Sequence, residues 1–324
     1  MIMNSKDIKR YFSFLGVKEK FYSKKIRCEI CNSKNHKIIR EKISWGPNKF
    51  GKLPVCCCCD CGFLFQNPRF EKKFYEKFYS EYYRKKIYKN LIPSKSFLKD
   101  QETRGNNIFK FLKKYIKKKK GKILDVGCSV GLMFKPFLKN GWKCIGNDPD
   151  YHYVQYGKKL NLPVEFLQAE KMKLKKNSLD LVIICGSLEH CYDPNKVLAL
   201  CAKASKKGAI LVLEARGEPR AQSKVYFNHN HHRYFSLNSL ELMMIKHGWK
   251  PFLSTMYPIS GPTREGGIWS LGVYSGNNQK KKFRGLIKNG KTESYETIIN
   301  KFKYYDLINK HLNPNRGDYR NKSK

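Results

Sequence analysis

Lys122-Ile-Leu-Asp-Val-Gly-Cys-Ser-Val-Gly131 is the stretch on which the fold of this chain turns. Lys122–Val126 is a short apolar run rich in branched side chains and reads as a buried strand. Gly127 and Gly131 bracket a turn, Leu132–Asn140 reads as a helix, and Gly141 closes it. Lys143–Gly146 is a second strand, and the apolar runs Leu181–Cys185 and Ala209–Glu214 alternate with helical patterns at Asn195–Ser205 and Leu237–His247. Strands alternating with helices predict an α/β, Rossmann-like sheet, mostly parallel and covered on both faces. Lys250–Tyr257 and Gly267–Tyr274, joined through Gly261-Pro262, predict an antiparallel pair at one sheet edge.

A strand running straight into a Gly-x3-Gly turn and a helix leaves backbone N–H groups and a helix N-terminus facing a ligand. The turn lacks the G-x-G-x-x-G of dinucleotide binding and the G-K-[ST] ending of a P-loop, which lowers both readings. Asp148, ending Cys144-Ile-Gly-Asn-Asp148, places a carboxylate where it can accept both hydroxyls of an unphosphorylated ribose. The pair fits a nucleoside cofactor without phosphates.

These residues resemble the class I S-adenosylmethionine-dependent methyltransferases over about Lys122 to Ser275. Ile123–Gly131 looks like their first motif, which brings in Asp125, Gly127, Cys128 and Gly131 as candidate cofactor contacts, with Asp148 as the ribose-binding acid. Gln168-Ala169 falls where an adenine-contacting pair lies in that family. Ser178-Leu-Asp-Leu-Val182 resembles the family's fourth strand and Leu188-Glu-His190 the Glu-His that follows it. The resemblance implies a seven-stranded methyltransferase sheet and S-adenosylmethionine as cofactor.

Upstream, Cys28-Glu-Ile-Cys31 and Cys58-Cys-Asp-Cys61 are two Cys-x2-Cys turns separated by 26 residues, the spacing a tetrahedral zinc ion accepts. Cys56-x2-Cys59 has the same spacing, and Gly62 directly after Cys61 favours the Cys58/Cys61 register. Four protein ligands close the coordination sphere, so the zinc is expected to be structural. A four-cysteine ribbon ahead of a methyltransferase, continuing as Cys61-Gly-Phe-Leu-Phe-Gln-Asn-Pro-Arg69, resembles the sugar C-methyltransferases and their short relatives in polysaccharide gene sets. The domains expected are an N-terminal lead and ribbon over 1–69, a helical and basic connector over 70–120, the core over 121–276 and a helical, basic extension over 277–324. In the connector, Phe74, Phe78 and Tyr82 fall at i, i+4 and i+8, the pattern of a core-facing helix.

Methyl transfer to a hydroxyl or carbon acid needs a base, and histidine has the pKa for it. Phe227-Asn-His-Asn-His-His-Arg-Tyr-Phe235 concentrates three of the eight histidines and resembles the segment that carries the acceptor-side base in the ribbon-bearing sugar enzymes. His231, then His229, with His190 as the alternative, are the candidate bases. Asn228 and Asn230 stand where those enzymes tend to have a tyrosine and a glutamate. His229, His231 and His232 have no carboxylate or cysteine in the same short segment, so no second metal is expected there.

Of the 324 residues, 41% are hydrophobic, too many for a disordered chain, while the lysines break every run that would span a membrane. The longest apolar stretch, Leu179 to Leu188, is interrupted by Asp180. Twelve cysteines without a secretory signal fit a reducing compartment, so the cytoplasm is the expected location. The net charge of +40 attracts polyanions or equally reflects a lysine-rich composition. Three functions follow: methyl transfer to a small molecule, with a nucleotide-linked sugar or surface-polysaccharide precursor first; methyl transfer to RNA across the ribbon and basic surface; or a non-catalytic binding protein that keeps the fold.

Overall fold

The computed structural model describes residues 6–46, 49–88, 90–216, 227, 229–264 and 267–312. Asn228 and the end of the basic tail beyond residue 312 lie outside the described residues.

The core is a seven-stranded sheet: β1 (Lys122–Val126), β2 (Lys143–Asp148), β3 (Val164–Phe166), β4 (Leu179–Cys185), β5 (Ser205–Arg216), β6 (Trp249–Thr255) and β7 (Gly267–Tyr274). Their spatial order is β6-β7-β5-β4-β1-β2-β3. The β1–β2, β2–β3, β1–β4 and β4–β5 pairs are parallel, whereas β7 runs antiparallel to both β5 and β6. This is the Rossmann-like, edge-antiparallel sheet expected. The runs of β1 and β4 are buried almost throughout because helices cover both faces, so their sequences carry no polar alternation. In open sheets of this kind ligands bind beyond the carboxyl ends of the strands, where the chain order reverses. Here that point is β1, flanked by β2 and β4.

The ribbon is built on a long hairpin, His36–Gly46 with Lys49–Cys58, extended by Leu64–Gln66. The fourth strand of this small sheet, Arg233–Tyr234, comes from the histidine-rich segment, with Arg233 opposite Phe65 and Tyr234 opposite Leu64. The ribbon is therefore joined to the core by backbone pairing across almost 170 residues of chain.

The connector forms a helix from Lys72 that continues as a wider π-helical stretch over Phe78–Tyr88, and a second helix, Lys95–Leu112. Phe74 and Phe78 are fully buried, in a cluster with Tyr11, Phe70 and Tyr75. The two last helices are Asn277–Lys288 and Tyr295–Leu312. Ile298 is 1% exposed and the Thr292 hydroxyl donates to the Asp60 carbonyl at 2.8 Å, so this extension packs on the ribbon. Among the described residues no helix is long and apolar enough to cross a membrane.

Candidate functional site

The ribbon's two knuckles have one design. Asn32 N–H donates to the Cys28 carbonyl and Gly62 N–H to the Cys58 carbonyl, both at 2.9 Å, and both residues have positive φ, +65° and +67°. Each turn curls its cysteine pair inward. The four sulfurs of Cys28, Cys31, Cys58 and Cys61 lie within 4.8 Å of one another, with Cys28–Cys61 and Cys31–Cys58 at 3.5 Å. Zinc–sulfur bonds of ~2.3 Å in a tetrahedron require sulfurs about 3.8 Å apart, so the set fits such an ion. Cys56 approaches the Asn67 carbonyl instead, and Cys59 lies outside the cluster.

Between the first two cysteines sits Glu29, and it ties the ribbon to the core. Its Oε2 accepts from Arg233 Nε at 2.7 Å and its Oε1 from Arg233 Nη2 at 2.6 Å, while Arg69 Nη2 stands 2.9 Å from Oε1. The Glu29 backbone carbonyl accepts from Asn195 Nδ2 and from Lys246 Nζ. Although burial opposes ionisation, the two arginines hold the Glu29 carboxyl below the ordinary carboxylate range. Arg233 also donates to the carbonyls of Cys191 and Tyr192, so one guanidinium joins the ribbon, the loop after β4 and the histidine segment.

A cavity of about 730 Å³ opens at the carboxyl ends of β1, β2 and β4. One end is formed by Gly127, Ser129, Asn147, Asp148, Gln168 and Ala169. Asp148 Oδ2 accepts from Ser129 N–H at 2.8 Å and Oδ1 from Asp150 N–H at 2.9 Å, which aims the carboxylate and leaves further lone pairs on both oxygens. Burial pushes its pKa up to about 6. Gly127 has φ +75°, and a Cβ there would stand 2.5 Å from the Ser187 Cβ, so only glycine lets β1 turn this close to β4. Ser129 Oγ, Asn147 Oδ1 and Gln168 Oε1 are buried with no hydrogen-bond partner. Three unsatisfied polar atoms around a held carboxylate are what an adenosyl group would complete.

Other residues of the first motif stand behind this wall. Asp125 is buried below the turn, off the cavity lining, with its pKa raised to about 7 chiefly by burial. Gly131 is a packing glycine: a Cβ would meet Val164 Cγ1 at 2.5 Å. Cys128 packs on Gly146 and is off the lining.

The other end of the cavity gathers Glu189, His190, His231, Tyr79, Arg216 and Arg264. His232 N–H donates to the Glu189 carbonyl at 3.1 Å, stitching the histidine segment to the loop after β4 and bringing the His190 and His231 rings to 4.8 Å. Burial lowers the His190 pKa to about 4 and that of His231 well below its ordinary value, so both rings are neutral near pH 7. His229 goes elsewhere. It is 2% exposed and packs between Tyr11 and Phe78, at centroid distances of 4.3 and 5.1 Å, off the cavity lining. His232 faces Tyr75 at 3.8 Å. The chain turns at His229-Asn230, which separates His229 from His231, and the adjacent His231 and His232 rings meet different neighbours, so the segment does not aim all three at one pocket.

Sequence reading missed Arg104, on the Lys95–Leu112 helix. It lines the cavity, is 2% exposed, stands 3.6 Å from Glu214, and its Nε and Nη2 have no hydrogen-bond partner. A buried guanidinium with spare donors suits a carboxylate on a ligand. An arginine mid-helix among lysines gives no local signal of this. Tyr79 and His190, 3.0 Å apart from hydroxyl to Nδ1, were equally invisible as a pair, being 111 residues apart.

A methyltransferase-domain family model matches residues 124–213. Among curated proteins, the tRNA U34 carboxymethyltransferase of Desulfotalea psychrophila is 28% identical over 137 residues, 40% of this chain and 43% of the relative. The ubiquinone biosynthesis O-methyltransferase of Rhodopseudomonas palustris is 29% identical over 97 residues, 28% of this chain and 38% of the relative. The alignments thus span about four-tenths of the length of these relatives. A solved SAM-dependent methyltransferase from Aquifex aeolicus superimposes with a TM-score of 0.43 at 19% identity, covering 55% of this chain and 97% of that one. The segment carrying Gly127, Asp148 and the Glu189-His190 pair is therefore matched as a methyltransferase domain, set in a class I methyltransferase fold.

Proposed function

We propose that this protein transfers the methyl group of S-adenosylmethionine to a small anionic acceptor, a nucleotide-linked sugar or a surface-polysaccharide precursor. The observation that carries the reading is the two-ended cavity: a held carboxylate with unsatisfied polar atoms at one end, a histidine–glutamate cluster with two arginines at the other.

S-adenosylmethionine, when bound, supplies a methyl group on a positively charged sulfur, a leaving group that needs no further activation. The chain's task is alignment and proton removal. Asp148 would hold the ribose hydroxyls, Gly127 would let the cofactor approach the backbone, Gln168 and Ala169 would face the base, and Arg104 would take the amino-acid carboxylate. At the acceptor end His231 and His190, neutral near pH 7, are placed to receive a proton from the acceptor. Arg216 and Arg264 would attract a phosphate-bearing acceptor. The ribbon would hold structural zinc, and through Glu29 and Arg233 it fixes the strand that presents His231.

Purified protein with label in the cofactor's methyl group and a panel of nucleotide sugars should transfer label to at least one of them. Label passing to RNA and to no sugar nucleotide would overturn the acceptor assignment, in the direction of the RNA reading that the net charge and the tRNA-modifying relative support.

A further inference from the structure

Glu189, His190 and His231 each offer one donor atom, and the three atoms lie within 4.8 Å of one another on the wall of the cavity. No short segment of the chain contains this set. It arises because the loop after β4 and the histidine segment are stitched together by the His232 N–H to Glu189 carbonyl bond, and the second of these is locked in turn from the ribbon side. Gln66 Nε2 donates to the His231 carbonyl at 2.7 Å and Gln66 N–H to the His232 carbonyl at 2.9 Å.

Two further observations point to a ligand. Glu189 is 1% exposed, and its Oε2 is buried with no hydrogen-bond partner. A carboxylate oxygen kept from water and given no donor is costly unless something completes it. His190 is already oriented by outer contacts. Its Nδ1 lies 2.8 Å from the Asn230 carbonyl, which can only accept, so Nδ1 carries the proton and Nε2 the lone pair. The Tyr79 hydroxyl, donating to the same carbonyl at 2.7 Å and lying 3.0 Å from Nδ1, steadies the arrangement. A ring N–H committed to a backbone carbonyl is the usual support of a metal-ligating imidazole. Donors on one ion at bond lengths of ~2.1 Å stand about 3–4 Å apart, so closing this set needs only a small contraction.

We propose that Glu189, His190 and His231 bind a divalent cation, a site separate from the four-cysteine ribbon. Two imidazoles and one carboxylate leave coordination positions open on the cavity side, which oxygen atoms of an acceptor, such as a vicinal diol or a hydroxy-carbonyl unit, would fill. With the cation bound, His190 and His231 act as ligands in place of bases, and the ion would lower the pKa of the bound hydroxyl so that its proton leaves to water. The link to an acceptor rests on the methyl-transfer reading; the cation site itself does not. This also replaces the expectation, drawn from the histidine segment alone, that no second metal binds there: the missing carboxylate is supplied by Glu189, 42 residues upstream of His231.

The test is Mn2+ titration of the zinc-loaded full-length protein, followed by electron paramagnetic resonance with total metal analysis. Mn2+ is the weakest competitor among the divalent first-row ions and leaves thiolate-bound zinc in place. One saturable Mn2+ per chain is expected, with Glu189→Gln and His231→Gln each weakening it at least about tenfold. Both variants should keep one zinc and bind S-adenosylmethionine as the parent does in calorimetry, which shows that they are folded. Absence of saturable Mn2+ in the parent, or Mn2+ binding that both substitutions leave intact, would overturn the site. Label transfer is scored separately: Mn2+ bound at the triad without transfer to any acceptor sustains the cation site and defeats the methyl-transfer reading.

Discussion

The two ends of the cavity are made in opposite ways. The cofactor end comes mainly from one continuous stretch, residues 125–148, whose strand, turn and strand place Gly127 and Asp148 by local geometry. The acceptor end is assembled from the connector helix, the loop after β4, the histidine segment and the loop before β7, held by buried polar contacts that reach into the ribbon. Local geometry tolerates distant change, while an assembled site inherits every weakness of its supports. Damage to the ribbon should therefore disable the acceptor end and spare the cofactor end.

The strongest way to break this contrast is Cys61→Ser. Structural zinc contributes on the order of 10 kcal/mol to small metal-bound units. Loss of zinc, collapse of the ribbon and loss of methyl transfer are expected, with residual S-adenosylmethionine binding in calorimetry. Full transfer in a zinc-free variant would refute the dependence. Glu29→Gln comes next. It leaves Arg233 and Arg69 without their buried carboxylate, a change that costs about 3–5 kcal/mol. Denaturant melts should show that loss together with a fall in kcat, the cofactor Kd staying within a factor of about two.

Gly127→Ala attacks the other end. A Cβ at φ +75° and 2.5 Å from Ser187 must displace the turn, and a strained left-handed position alone costs about 1–3 kcal/mol. Cofactor affinity should fall roughly a hundredfold, with the ribbon's zinc content unchanged. A smaller effect is expected from pH. The Asp148 pKa is raised to about 6, so the ionised form that accepts ribose hydroxyls predominates above that pH and is lost as pH falls through it. Affinity at pH 5 should be roughly tenfold below its plateau, and Asp148→Asn should flatten the profile. The smallest expected effect is that of Cys59→Ser, a half-buried thiol outside the four-sulfur cluster, at within about 0.5 kcal/mol and with full zinc retention. Loss of zinc there would move the ligand register to Cys56/Cys59.

How much of the site could be read beforehand follows the same division. Gly127, Asp148 and the pair Gln168-Ala169 line the cavity, whereas Asp125, Cys128 and Gly131 lie off it, behind the turn. Linear spacing says which residues share a turn, but not which of them face its open side. The histidine segment was conspicuous by composition, yet His231 and His229 part company because the chain turns at residues 229–230, which the i, i+2 spacing does not announce. The last helix carried no sign of its docking on the ribbon, where Glu293 and Ile298 approach Gly62 so closely that a Cβ there would stand 3.0 Å from each.

The sequence by itself determined the parallel sheet, the glycine turn with its acid, and the two cysteine knuckles, since each depends on periodicity or spacing within a few tens of residues. Only the tertiary structure decided that Arg233 pairs with Glu29 and that Glu189 meets His231. Those contacts arise from chain segments up to 204 residues apart, and burial, not local propensity, makes their polar groups seek one another.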